Sequence, residues 1–481
     1  MYKKYLISKS ALLCILFFLC GIIQITAEVS TNEILVSSPT YSIDNTEVFS
    51  LTNGMLHISL NIENSSPNPA SLSLYAVLYN NTTTKIQNIS CKTIPTVPTG
   101  QTAPISTDIN VSNSPDCSLK VFVWNDLTPV CKPFELNPDT VSLYSEVPGS
   151  VESTSYFVTV NGQKVFTEKY KDISYARFSF SGTAHITVSV GETISTTNIS
   201  PHSYQIVPAV NAKSMTFSLN QPRKLIVNIN SLEKLFLFAD PLEQSPPRLG
   251  QQNVYHILDY PGIDNTGATL NTTAIQAALD DVALKPGGGV LYVSNGKYLT
   301  GTLHIKSNTT LYLQDGALIQ GSSAIVDYPY PLKFSDDTTA NLSALICFDQ
   351  AQYSKITGRG VIDGDGKRVR NNGKDSFLIE TYQSSHIIVE DVILRDPAAF
   401  NSHICYSDYV TYQRTKLIND ITNPNTDGID PDFSRHIMVD DVFAYCSDDT
   451  LSVKGGFYTS LNRDSYDIVV KNNVFWTKKS A

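Results

Sequence analysis

Apolar and polar residues alternate along short runs in the first part of the chain: Leu56-His57-Ile58-Ser59-Leu60, Leu72 to Leu78, and Leu119-Lys120-Val121-Phe122-Val123-Trp124. Turns rich in Asn, Pro, Gly and Ser separate them. A period of two predicts strands with one buried face, and turns this frequent predict a small antiparallel β-sandwich over residues 28–140. Three further runs, Tyr156 to Val160, Ala184 to Val190 and Lys224 to Ile229, predict a second β-sandwich over residues 150–245. Asn137-Pro138-Asp139 opens the linker between them, and Pro241 to Leu249, with its Pro246-Pro247 pair, closes the second region. Neither region clusters acids, histidines or nucleophiles, so both read as accessory modules.

From about Val254 the pattern changes. Ala274-Ile275-Gln276-Ala277-Ala278-Leu279 has the spacing of an amphipathic helix, with Asn271 or Thr272 as its N-cap, and Gly287-Gly288-Gly289 releases the chain afterwards. Strands then follow and repeat: similar segments that begin at Ile387, Val410, Ile437 and Ile468 start 23, 27 and 31 residues apart. A repeat of roughly 20–45 residues built on β-branched strands indicates a stacked solenoid. No hairpin turn separates the strands within a repeat, which disfavours a sandwich here. The predicted fold class is therefore all-β, a right-handed parallel β-helix over residues 254–481 preceded by the β-sandwich domains and capped by the early helix. Five residues follow the last strand, Ile468 to Trp476, which predicts a C-terminally incomplete coil because a final rung needs cover.

The N-terminus sets the expected compartment. Lys3, Lys4 and Lys9 precede an apolar stretch, Ala11 to Ile25, and Thr26-Ala27-Glu28 follows. This is the pattern of a secretory signal peptide over residues 1–27, cleaved near Ala27. The stretch falls short of the about 20 apolar residues that span a bilayer. A secreted, extracellular protein without membrane attachment is expected, and a monomer if the chain is complete. Of the 481 residues, 42% are hydrophobic and 17% charged, a balance suited to packed cores. Lys and Arg number 35 against 45 Asp and Glu, and the formal charge of -10 argues against nucleic acid as a partner. Cys14 and Cys20 leave with the signal. Cys91, Cys117 and Cys131, then Cys347, Cys405 and Cys446, form two odd-numbered groups, so each region keeps a thiol unpaired within it. Their spacing fits no zinc site, and neither a metal nor a cofactor is expected. Asn-X-Ser/Thr sequons at Asn64, Asn80, Asn81, Asn88, Asn110, Asn198, Asn271, Asn308 and Asn341 would be glycan acceptors in a eukaryotic secreted protein.

Chemistry concentrates in two neighbouring repeats, Asn425-Thr426-Asp427-Gly428-Ile429-Asp430 and Ser447-Asp448-Asp449. Asp427 and Asp448 are 21 residues apart, close to one turn of the solenoid. Residues one turn apart sit on adjacent rungs, whose backbones are about 4.8 Å apart. Asp427, Asp448 and Asp449 should therefore crowd one face and push at least one of their pKa values up. One protonated and one ionised carboxylate is what glycosidic hydrolysis requires. Two other readings stay open. Asp and Asn also form tight turns, and stacked carboxylates can hold calcium, which would point to lyase chemistry.

The segment Asn425 to Asp430, the pair Asp448-Asp449 and Leu451-Ser452-Val453-Lys454 together resemble the polygalacturonase family, glycoside hydrolase family twenty-eight. Asp264 to Gly321 is similar to that family's helix cap and first turns, and Gly358-Arg359-Gly360-Val361-Ile362-Asp363-Gly364 to its later glycine-rich turn. The resemblance implies an inverting hydrolase of a pectic polysaccharide such as polygalacturonan. Asp448 would be the general acid, Asp427 and Asp449 would activate water, and Asn425 and Lys454 would contact substrate or hold the acids. Ser447 stands where the family has Gly or Gln, and Trp476-Thr477-Lys478-Lys479 where its Gly-His-Gly falls. The dextranase and isopullulanase group, family forty-nine, is also similar in joining a β-sandwich to a β-helix with clustered acids.

His403, one repeat before the acids, reads either as a substrate contact from a neighbouring rung or as a histidine satisfied within its turn. His436 reads as a strand-edge residue. Cys347, Cys405 and Cys446 read as interior fillers. Tyr328 and Tyr330 lie in a loop that either stacks on sugar rings or packs on itself. A non-catalytic carbohydrate-binding or adhesion protein on the same scaffold is the alternative function.

Overall fold

The computed structural model describes residues 34–125, 128–131, 133–136, 138–328, 342–455 and 463–479. The signal-peptide segment with Cys14 and Cys20, Asn137, Tyr330 and the sequon at Asn341 lie outside them. Strands account for almost all regular structure. Two α-helices, Thr272–Ala283 and Gly366–Asn371, interrupt them among the described residues, so the fold is nearly rather than wholly all-β. Two compact units divide the chain, one comprising Met1–Thr140 with Ser181–Ala184 and the other Val141–Phe180 with His185–Ala481.

The first unit contains two antiparallel sheets. In one, Gly54–Asn64 pairs along its whole length with Gln101–Val111. In the other, Ala70–Asn80 lies between Lys85–Val97 and Cys117–Asn125. The alternation read from sequence sorts their side chains. Leu56, Ile58, Leu60 and Ile62 from one sheet meet Leu72, Leu74, Ala76 and Leu78 from the other in one buried core. Two of the sequons fail on burial, because Asn64 and Asn271 are 0% and 1% exposed and cannot carry glycans in the folded protein.

In the second unit, the described strands from Val254–His256 to Val474–Thr477 fall in turn into three parallel sheets, the path of a parallel β-helix. Ile387 pairs with Val410, Val410 with Ile437 and Ile437 with Ile468, so the four positions aligned by repeat form one column. Beside it, Leu291, Leu311, Ile356, Val389, Tyr412 and Val439 stack inward coil upon coil in the buried core. Thr272–Ala283 buries Ile275, Ala278, Leu279 and Val282 against the same core. Asn271 stands at the N-cap but makes no capping bond; its side chain ties the preceding loop, accepting from the Asp264 N–H at 2.6 Å. Serines mark one corner. The N–H groups of Ser384, Ser407 and Ser434 donate to the hydroxyls of Ser407, Ser434 and Ser465 on the next coil. Outside the first sheet, Tyr353, His386, Tyr409 and His436 stack with centroids 4.6, 4.8 and 4.5 Å apart.

The outer face of the second sheet is covered by a seven-stranded mixed sheet from residues 140–241. Tyr175, Phe236 and Phe238 pack there against Leu318, Val361, Ile393, Phe443 and Tyr445. Ion pairs cross the same contact: Arg395 to Glu168 at 2.8 Å and Lys416 to Asp240 at 2.6 Å, both buried, and Lys224 to the partly exposed Asp441 at 2.6 Å. Paired charges of this kind add little net stability over an apolar pair of similar volume, whereas removing one partner alone is costly.

Candidate active site

Two consecutive coils build the site. Asn425 takes a left-handed φ of 55°, which Asn tolerates, and turns the chain toward the third sheet, whose strand here is Ile429–Asp432. At Gly428 the next coil passes so close that a Cβ would lie 2.2 Å from the Thr450 carbonyl oxygen. Only glycine fits, and its N–H donates to the Asp449 carbonyl at 2.8 Å. The backbone thus clamps the Asp427 segment directly onto the Asp449 segment.

Side chains tighten that clamp. Ser447 Oγ accepts from the Thr426 N–H at 3.2 Å and from the Thr426 hydroxyl at 2.8 Å. Asn419 Nδ2 donates to the carbonyls of Thr426 and Asp427 at 2.8 and 3.1 Å, and Asn401 Nδ2 donates to Asn419 Oδ1 at 2.8 Å. Thr426, Ser447, Asn419 and Asn401 are all buried. Ser447→Ala strands two buried donors, and we expect it to lower unfolding stability by about 1–3 kcal/mol in a urea titration. An unchanged midpoint would show that the hydroxyl does not fasten the coils.

Asp427 is 4% exposed, while Asp448 and Asp449 are partly open. Burial raises the Asp427 pKa and the charges of Asp448 and Asp449 add to the rise, with Lys454 opposing it. The Lys454 ammonium reaches Asp427 Oδ2 at 3.0 Å and Asp430 Oδ2 at 3.2 Å. Burial lifts Asp430 well above the usual carboxylate range, and Asp427 lifts it further. Asp448 Oδ2 accepts from the Lys479 ammonium at 2.7 Å, and its carbonyl accepts from the Thr477 hydroxyl at 2.5 Å.

The structure therefore brings together Asp427, Asp448, Asp449 and Lys454. Asn425 lies exposed at the entry to the same turn. His403 differs: it is fully buried, with Nδ1 at 2.8 Å from Glu380 Oε2 and Nε2 at 3.7 Å from Asp432 Oδ2. Burial alone would lower its pKa, but the two carboxylates hold it up to about 9. Tyr328 is likewise buried, its hydroxyl donating to the Ser322 carbonyl, so it packs its loop. Cys446 sits in the coil's core as an interior filler. The ligand atoms of His403, Cys405 and Asp432 lie within 4.8 Å of one another.

Glu380, Asp432, Asp430, Asn419, Ser447 and Lys479 were missed as site residues. The repeat held the signal for three partners in this network: residues 380, 403 and 430 step by 23 and 27, as residues 387, 410 and 437 do, and they are register partners.

Fold and site together define a parallel β-coil with a carboxylate cluster on its third sheet. Residues 268–475 match the family model described as glycosyl hydrolases family 28. A "Probable polygalacturonase" of Vitis vinifera is 31% identical over 217 residues, 42% of this chain and 44% of that one. An "Exo-poly-alpha-D-galacturonosidase" of Dickeya chrysanthemi is 35% identical over 136 residues, 26% of this chain and 21% of that one. The chain thus spans less than half the length of either relative. A solved exopolygalacturonase from Thermotoga maritima aligns at 21% identity over 49% of this chain and 61% of that one, with a TM-score of 0.39, too loose to bear on the argument. No helix among the described residues is long and apolar enough to cross a membrane.

Proposed function

We propose that this protein is a secreted glycosidase that hydrolyses a pectic polysaccharide such as polygalacturonan with inversion. The observation that carries the reading is the backbone clamp between Gly428 and Asp449, which seats Asp427 beside Asp448 and Asp449. Asp448 gives its proton to the glycosidic oxygen as the bond from the anomeric carbon breaks. Asp427 and Asp449 take a proton from the water that attacks that carbon from the opposite side. For Asp448 to carry its proton, the Lys479 ammonium must move off its carboxylate, and the carboxylate of a uronic acid offers it another acceptor. Asn425 contacts the sugar from the rim, and Lys454 holds Asp427.

The family match and the two curated relatives support the substrate class. On this reading the coil is right-handed, residues 28–140 and 150–245 are β-sandwich accessory domains, and residues 1–27 are removed on export. Release of reducing sugar from polygalacturonate, rhamnogalacturonan and dextran is the test. Activity on the uronate polymers is expected. Cleavage of dextran alone would replace the pectic reading with a dextranase-like one. Binding of a polymer without cleavage would leave the adhesion reading.

A further inference from the structure

Buried charge continues along the third sheet from the acids into the preceding coils. Glu380, His403 and Asp430 are partners on three successive strands, and Cys405 and Asp432 are partners beside them. Phe377 and Phe400 stack at 4.9 Å and close over the imidazole, with centroids 5.1 and 6.1 Å from it. The Lys454 ammonium lies 3.8 Å from the Phe400 ring centre and bridges Asp430 to Asp427. Asp432 and Lys454 are themselves backbone partners on adjacent coils. Four carboxylates, Glu380, Asp432, Asp430 and Asp427, therefore share two cations, His403 and Lys454.

We propose that His403 is a positioning residue, clamped as an imidazolium between Glu380 and Asp432, whose charge leaves Lys454 directed at Asp427. Without that charge, Asp430 and Asp432 compete for the lysine and draw it away from the candidate catalytic acid. Among the described residues, the titratable side chains facing the ring include Glu380 on the preceding strand, Asp430 and Asp432 on the following one, and Cys405 on its own. Asp349 acts on it through Glu380. Burial would neutralise an isolated imidazole, and the flanking carboxylates reverse that tendency. The catalytic consequence rests on the role given to Asp427 above, whereas the clamp does not.

Two measurements separate the parts. The first follows the imidazole nitrogens of the full chain by NMR through a pH titration. His403 should remain doubly protonated from pH 5 to about 8, and a ring that titrates near 6.5 overturns the clamp whatever the protein hydrolyses. The second compares His403→Gln, Glu380→Gln and the charge-balanced pair of both on polygalacturonate, with melting curves to establish that each is folded. His403→Gln should lower kcat about tenfold or more at unchanged KM and move the acidic limb of the pH profile upward. Glu380→Gln should move that limb downward, and the pair should bring it back toward the parent. A limb that stays put in the folded variants overturns the positioning role. If His403→Gln does not fold, the limb in Glu380→Gln decides. If the parent cleaves nothing, the enzymatic reading falls and the NMR titration still decides the clamp.

Discussion

Asp448→Asn is expected to slow reducing-sugar release from polygalacturonate at least about a hundredfold while the protein still folds. Asp448 lies at the partly open side of the cluster, where its carboxylate meets Lys479. Asn keeps that shape and still accepts the lysine's hydrogen bond, so packing survives, but an amide has no proton to give a departing oxygen. The loss should therefore fall on kcat, with KM little changed, because the substituted group touches the sugar chiefly as the bond breaks. Asp427→Asn should show a loss of similar size. A full-speed Asp448→Asn enzyme would remove the general acid from that residue. A full-speed Asp427→Asn enzyme would detach the water-activating role from the buried acid.

The second large effect lies away from the acids, where the covering sheet meets the coil. Asp240→Asn should destabilise the protein by about 3–5 kcal/mol, the usual cost of leaving a buried partner uncompensated. Asp240 Oδ2 is 2.6 Å from the Lys416 ammonium and 3.6 Å from the Arg359 guanidinium, and all three side chains are buried. Burial already lowers the Lys416 pKa from 10.5 to about 8, with Asp240 opposing the fall. Between those values the unfolded lysine holds a proton that the folded one has released, so its contribution to stability rises with pH. Losing Asp240 extends that window downward, so the deficit of the variant should shrink as pH rises toward about 8 and level off above it, where both folded forms have released the proton. His403, raised to about 9, acts in the opposite sense: its contribution is full below about 6.5 and is lost as pH climbs through 9. Subtracting the parent's urea midpoint at each pH cancels it. Asp240→Leu combined with Lys416→Met should recover most of the loss, since an apolar pair of similar volume needs no desolvation. A variant as stable as the parent would show that Asp240 does not compensate a buried Lys416 ammonium.

Much of the coil was legible because its side chains obey one short rule. Ile387, Val410, Ile437 and Ile468 could be aligned as β-branched starts of similar segments, and hydrogen bonding makes those same residues partners. The nearness of Asp427 to Asp449 followed from that spacing, and the clamp at Gly428 supplies its physical basis. His403 was harder. A histidine between a serine and an isoleucine looks the same in sequence whether it faces a groove or lies under two phenylalanines, and only the stacking of Glu380 beneath it distinguishes the cases. The role of Ser447 and the place of Asn419 were not legible because their work is to satisfy backbone groups of another coil, a need invisible until the coils are assembled. The covering sheet was equally hidden. Its strands alternate like those of any independent module, and nothing local in Phe236 or Glu168 reveals that their partners are Phe443 and Arg395.

Because Gly428 and Asp449 meet through main-chain hydrogen bonding, the gap between the acids is set by the pitch of the coil and not by the length of any turn. Turns such as the one through Asn425 can lengthen, shorten or change charge without shifting the reacting groups against each other. On the proposed glycosidase reading, a scaffold of this kind lets the range of accepted polymers drift at the rim while the bond-breaking geometry is inherited unchanged.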